Sequence, residues 1–152
     1  MISRQNNPMK RPQTIAELAD IYNEFGRDTY VLAINNFLDE IYLAKNELRE
    51  DKLKDEPAMT DSDIVNAYLA AVAERLSSHF GFKNPEWTTA SSDRFLKKAW
   101  FPKNTGKKVA AILLFESPTS FRRRNIFVSS NALHRASMYS SMHDDTEESS
   151  LS

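Results

Sequence analysis

The chain has 152 residues, no cysteine, three glycines, 41% apolar and 27% charged residues, and a formal net charge of −1. That length suits one domain able to bury a real core. Without cysteine there are no disulfides, thiolate zinc sites or cysteine nucleophiles, and Gly26, Gly81 and Gly106 are too scattered for a Gly-rich phosphate loop. The longest apolar run, Val109 to Phe115, falls far short of the ~20 residues that cross a bilayer. The basic residues near the N-terminus have no apolar stretch behind them, so no secretory signal is read. No membrane association and a cytoplasmic location are therefore expected.

Residues 1–12, polar and broken by Pro8 and Pro12, read as a flexible arm. A helix is predicted from Thr14, where Thr14 and Glu17 form a capping box, with Ile15, Leu18, Tyr22 and Phe25 as its apolar stripe and Gly26 as its stop. The next amphipathic stretch, Asp28 to about Leu53, places Val31, Ile34, Phe37, Leu38, Ile41, Tyr42 and Leu48 on one face. Asp39, Glu40, Lys45, Asn46, Arg49 and Glu50 fall on the other. Residues 52–57 read as a charged linker ending in proline. A third helix opens at Thr60 or Asp61 and stops near Gly81, with Val65, Tyr68, Leu69, Val72 and Leu76 facing inward and four alanines permitting close packing.

The second half is less regular. Ser92 to Phe101 is read as a short helix and residues 102–106 as a turn. Val109 to Phe115 fits either a buried strand or a buried helix, with Ala110 and Ala111 and the lack of alternation favouring helix. Ser117 and Pro118 suggest an N-cap followed by proline at the first helical position, starting a short helix through Arg124. Ile126 to Val128 reads as an extended or buried piece, and Asn131 to Met138 as a last helix. The Ser-, Asp- and Glu-rich segment 139–152 reads as a disordered acidic tail. The whole is a mainly α, single-domain helical bundle over 13–138, with an acidic three-helix half (14–81) and a basic half (94–135), the latter allowing one short extended segment.

The small net charge conceals strong segregation. Residues 14–93 carry 7 basic and 16 acidic side chains, whereas residues 94–135 carry 10 basic side chains against Glu116 alone. Either the two halves neutralise each other inside the fold, or the basic half meets an anionic partner.

Chemistry is hard to place in this sequence. The three histidines, His79, His134 and His143, show no metal-ligand spacing, and His143 with Asp144 and Asp145 lies in the acidic tail. Neither a Gly-x-Ser-x-Gly elbow nor a Ser-x-x-Lys pair occurs. The adjacent carboxylates Asp39-Glu40, Glu50-Asp51 and Asp55-Glu56 fall on polar faces or in the linker, where neighbours on a helix do not converge on one substrate. No catalytic residue, metal or cofactor is assigned.

Binding is the better-supported class. Residues 115–136 interleave the apolar anchors Phe121, Phe127 and Leu133 with Arg122, Arg123, Arg124, Asn125 and Arg135, a mixture that suits a protein interface. As core, the same apolar residues would sit inside with the arginines at the rim. The alternative ligand is nucleic acid, with Lys97, Lys98, Lys103, Lys107, Lys108 and the arginine triplet on phosphates, and Phe95, Trp100, Phe101 and Phe121 as stacking surfaces.

Three segments carry a resemblance: residues 12–19 (PQTIAELA), 37–42 (FLDEIY) and 63–71 (DIVNAYLAA). A fourth, the most specific, joins Ala99-Trp100-Phe101 to Phe115-Glu116-Ser117-Pro118, Phe121-Arg122, Arg124 to Ser129, Asn131 to Leu133, and Arg135-Ala136. Over roughly residues 12–136 the chain resembles a small family of uncharacterised bacterial proteins. The resemblance implies a neighbouring nucleotidyltransferase-like protein, in an arrangement like a two-gene toxin–antitoxin pair. It names no catalytic residue, but it draws attention to residues 115–136. The expected function is a non-enzymatic interaction or regulatory module, antitoxin-like, docking through Phe121, Phe127 and Leu133, with Arg122 to Arg124 on carboxylates of the partner.

Overall fold

The computed structural model describes residues 11–138. The predicted N-terminal arm and acidic tail fall almost wholly outside that range. Eight helical segments and one 3-10 turn account for the regular structure, with no strand among the described residues, so the fold is mainly helical as expected.

Helix α1 (Ile15–Phe25) starts after Thr14, and Glu17 reaches back to the Gln13 amide at 3.3 Å, so the capping box acts one residue earlier than its usual target. Gly26 alone separates α1 from α2 (Arg27–Leu43). Its φ of +90° and ψ of −172° belong to a region open essentially only to glycine, and this lets two helices join through one residue. The two helices pack along each other, burying Ile15, Leu18, Phe37, Leu38 and Ile41.

The long second helix expected to reach Leu53 ends instead at Leu43. Ala44 is extended, and two single-turn helices follow, α3 (Asn46–Arg49) and α4 (Asp51–Lys54). Arg49, assigned to the polar face, is buried and terminates α2 by donating to the Ile41 and Tyr42 carbonyls at 3.0 and 2.7 Å. Those are the carbonyls a helix C-terminus leaves without partners. The supposed linker is likewise structural: Leu53 is buried, and its carbonyl accepts from Trp87 Nε1 at 3.0 Å.

Helix α5 (Asp63–Phe80) is the central element. Ser62 Oγ accepts from the Val65 amide at its start, and Gly81 closes its end in the left-handed conformation. Ala67, Leu69, Ala70, Ala71, Val72 and Ala73 are all buried, so α5 is covered on most of its circumference. Its small residues admit α6 (Trp87–Ala90), the 3-10 turn Ser92–Arg94 and α8 (Thr119–Arg122) at close range.

The expected helix over 92–101 shrinks to that 3-10 turn. Residues 95–99 are irregular, with bends at 95, 97 and 98, and Trp100 pairs with Ile126 in a single parallel bridge. The ambiguous apolar run is helical: α7 spans Lys107–Glu116. Apart from Leu113 it is not buried, however, and it packs extensively on no other described helix. Of the helix expected over 131–138, residues 131–133 form a turn and 136–138 are helical.

Candidate interaction surface

Residues 121–135 are the segment expected to dock on a partner, and the structure sends most of them inward. Phe121 is 0% exposed and meets the Tyr68 ring edge-on at 5.2 Å between centroids. Phe127 stacks on Phe101 at 5.2 Å, and Leu133 is buried with its carbonyl accepting from Tyr42 Oη at 2.8 Å. Phe121 and Leu133 belong to the core and Phe127 is buried outside it on Phe101, so none of the three stands out as an exposed anchor. Asn125, at φ +64°, donates from Nδ2 to the Leu96 carbonyl at 2.8 Å and so holds the irregular 95–99 segment in place.

The arginines follow the same logic. Arg124 is 0% exposed; its Nη1 donates to Glu74 Oε1 at 2.5 Å and to the Ser120 carbonyl, and its Nη2 to the Thr88 carbonyl. Burial pushes its guanidinium below the ordinary arginine range, while Glu74 opposes that shift. Its plane lies over the Phe95 ring at 4.6 Å. Arg94, also fully buried, donates to Glu56 at 3.0 Å, to the Pro57 and Asn66 carbonyls, and covers Trp87. Arg135 grips Asp39 at two points, and Arg123 shares Glu74 at 3.3 Å. Arg122 donates to the Ser117 carbonyl at 2.7 Å.

The basic half therefore divides by residue type. Four of its five arginines pair with acidic residues from the first half, which realises the internal neutralisation that the charge pattern allowed. Lys97, Lys98, Lys103, Lys107 and Lys108 all remain exposed and outside the ion pairs among the described residues. Arg122 and Arg123, exposed at the end of α8, complete the accessible cations of this half. Lys97 and Lys98 border an open cleft of about 540 Å³ whose lining also includes Asp63 and Asp93, so its charge is mixed.

The aromatics proposed as stacking platforms are mostly engaged within the protein. Phe121 is core, Phe101 is stacked on Phe127, and Phe95 lies beneath Arg124. Among the described residues no cluster of histidine and carboxylate side chains is arranged to hold a metal ion. Among the described residues, no helix is long and apolar enough to cross a membrane.

One exposed apolar feature is a helix that the sequence placed inside. On α7, Val109, Ile112, Leu114 and Phe115 face solvent, Phe115 at 85% exposure, and Leu113 alone is buried. The helix is fastened at its C-terminal end by Ser117, whose hydroxyl donates to the Leu113 carbonyl region and lies 2.9 Å from both the amide and the carbonyl of Val128. Its other end follows the Pro102–Gly106 turn. A continuous seven-residue apolar run looks like core by composition, so the signal that could have exposed it was the pair of lysines at its entry. Comparison with protein-family models, curated proteins and solved structures finds no match for this chain.

Proposed function

We propose that the chain is a non-enzymatic protein-interaction module of a regulatory, antitoxin-like kind, and that α7 is its apolar docking element. The observation that carries this reading is the exposure of Val109, Ile112, Leu114 and Phe115 together on one short helix. Exposed aliphatic and aromatic side chains grouped in this way, rimmed by Lys107 and Lys108, have the composition of an interface centre with a polar edge. A scattered leucine on a surface calls for no partner; a helix with one buried residue in ten does.

The family resemblance supplies a nucleotidyltransferase-like protein as a partner. Such an active site uses acidic metal ligands and is anionic. Arg122 and Arg123, the exposed members of the arginine cluster, are suited to its carboxylates, Arg123 by exchanging its partly exposed contact with Glu74, whereas Arg124 is buried on Glu74. The test is co-expression of the tagged chain with the neighbouring nucleotidyltransferase-like protein, followed by capture at moderate salt. Arg122→Ala with Arg123→Ala should lower recovery at least tenfold while leaving the circular dichroism spectrum and melting temperature intact. Equal recovery with the double variant would sink this assignment.

The five exposed lysines favour a second reading, direct binding of nucleic acid chiefly through phosphate contacts, because the Phe95, Phe101 and Phe121 faces are engaged within the protein. Binding of that kind weakens by orders of magnitude between low and moderate salt. A protein complex anchored on apolar side chains changes far less, so a salt titration against labelled DNA and RNA separates the two.

A further inference from the structure

Taking α7 as a docking element, we infer that its occupant is α7 of a second copy of the chain, packed antiparallel across a two-fold axis. Three observations converge on this arrangement. The first is the shape of the exposed ridge. Lys108, Ile112 and Phe115 recur at i, i+4 and i+7 and so share one face, with Ala111 beside them, while Leu113 points away into the domain. Because Ala111 is small, two backbones can approach to the 8–10 Å typical of packed helices.

The second is charge. α7 carries Lys107 and Lys108 in its first turn and Glu116 as its last residue. Both are opposed to the helix macrodipole, which favours acids at the start and bases at the end. An antiparallel copy corrects both signs at once. It sets Lys108 of each chain against Phe115 and Glu116 of the other, the lysine stem on the ring and the ammonium at the carboxylate, and Ile112 over Ala111. One Glu116 oxygen accepts from the Ser130 amide at 3.2 Å, which holds the carboxylate near the helix end and leaves its second oxygen for the lysine.

The third is size. A ten-residue helix is about 15 Å long, so the contact is smaller than the ~800 Å² per partner of a standard interface. A self-complementary patch of that extent fits a reversible dimer of micromolar affinity better than an obligate one. The pairing leaves Arg122 and Arg123 of both copies outside the seam.

Sedimentation velocity on the full chain, from about 1 to 200 μM, a range that brackets micromolar affinity, should show a monomer–dimer equilibrium. Phe115→Asp should weaken it on the order of a hundredfold with an unchanged circular dichroism spectrum, since burial of one such ring is worth about that factor. Register is tested by charge exchange. Lys108→Glu alone and Glu116→Lys alone should each be monomeric, and an equimolar mixture of the two should dimerise, because the mixed pair restores both Lys–Glu contacts. The chain has no cysteine, so Ala111→Cys introduces a single thiol that should give a disulfide-linked dimer under mild oxidation. A monomer at every concentration overturns the inference, as does a dimer indifferent to Phe115→Asp or a mixture that stays monomeric. If the chain is monomeric but Phe115→Asp still abolishes capture of the nucleotidyltransferase-like protein, the second copy is wrong and the docking element stands. If neither changes, both readings fall.

Discussion

Arg135 and Asp39, 96 residues apart, meet through two parallel hydrogen bonds, Nε to Oδ1 at 3.1 Å and Nη2 to Oδ2 at 2.9 Å. The fork matches the carboxylate at both points, and Ser137 adds a third donor at 2.6 Å. The pair ties the end of the described chain back to the middle of α2. Single-point pairs act in the same sense: Arg94 to Glu56 and Arg124 to Glu74, like Arg135 to Asp39, fasten the irregular second half to the helical first half.

Asp39 should make stability fall in acid. In the folded chain its carboxyl titrates below the ordinary range, chiefly through the Arg135 hydrogen bond, with Ser137 and the charges of Arg135 and Arg11 assisting and burial opposing. The unfolded chain therefore binds that proton more tightly, and stability rises with pH across the window between the two values. The contribution is full above the usual carboxylate value of about 4 and is lost as pH falls through the depressed folded value. Asp39→Asn should cost about 1 kcal/mol at pH 7, since the pair is partly exposed. Denaturant melts between pH 3 and pH 7 should show a flatter acid limb for the variant; an identical slope would mean that this pair sets none of it.

How much of this was legible in the sequence depends on the kind of signal. α1 was readable at both ends because cap residue, apolar spacing and a terminal glycine agreed, and α5 at its glycine end, whereas α5 starts later than Thr60 or Asp61, after the Ser62 cap. The break after Leu43 was hidden, because Arg49 looks like a solvated charge until its role on the Ile41 and Tyr42 carbonyls is seen. Counting Lys and Arg together concealed the division of the basic half. A guanidinium can satisfy a carboxylate and several carbonyls at once in a buried site, and an ammonium is hydrated too strongly to go there. Net charge carries no trace of that difference.

Removing Glu74 should be more damaging than removing Arg124. Glu74→Ala leaves the fully buried Arg124 guanidinium without its counter-charge, and breaking a buried pair from that side costs about 3–5 kcal/mol. Arg124→Met removes the charge itself and keeps most of the volume. Glu74 retains Arg123, and the Thr88 and Ser120 carbonyls lose a donor, for roughly 1–3 kcal/mol. Chemical denaturation of the two variants gives the order directly. A reversed order would show that Arg124 acts by packing over Phe95 rather than through its charge.

Two phenylalanines six positions apart belong to opposite environments, which composition alone could not tell. Phe121→Ala should open a cavity against Tyr68 and cost about 3–5 kcal/mol. Phe115→Ala should change stability by no more than about 0.5 kcal/mol at concentrations where the chain is monomeric. Thermal melts of both variants decide the matter. Destabilisation at Phe115 comparable to that at Phe121 would mean that α7 packs against its own domain.

The two left-handed glycines should respond differently to the same substitutions. Neither has an atom within 4 Å of where a Cβ would stand, so any cost of Gly→Ala is backbone strain and not a clash. Gly81, with φ +82° and ψ +22°, ends α5 in the ordinary left-handed well, and the Phe82 amide reaches the Ser77 carbonyl at 2.7 Å across it. Gly81→Ala should cost about 1 kcal/mol, and Gly81→Asn less, because asparagine tolerates that well. Gly26, with φ +90° and ψ −172°, lies in a region that asparagine does not enter readily. Gly26→Ala and Gly26→Asn should therefore both cost roughly 1–3 kcal/mol. Circular dichroism melts of the four variants test the contrast: rescue by asparagine at 81 and failure of rescue at 26 is the expected pattern. Equal recovery at both sites would mean that the one-residue junction between α1 and α2 relaxes to a more common conformation at little cost.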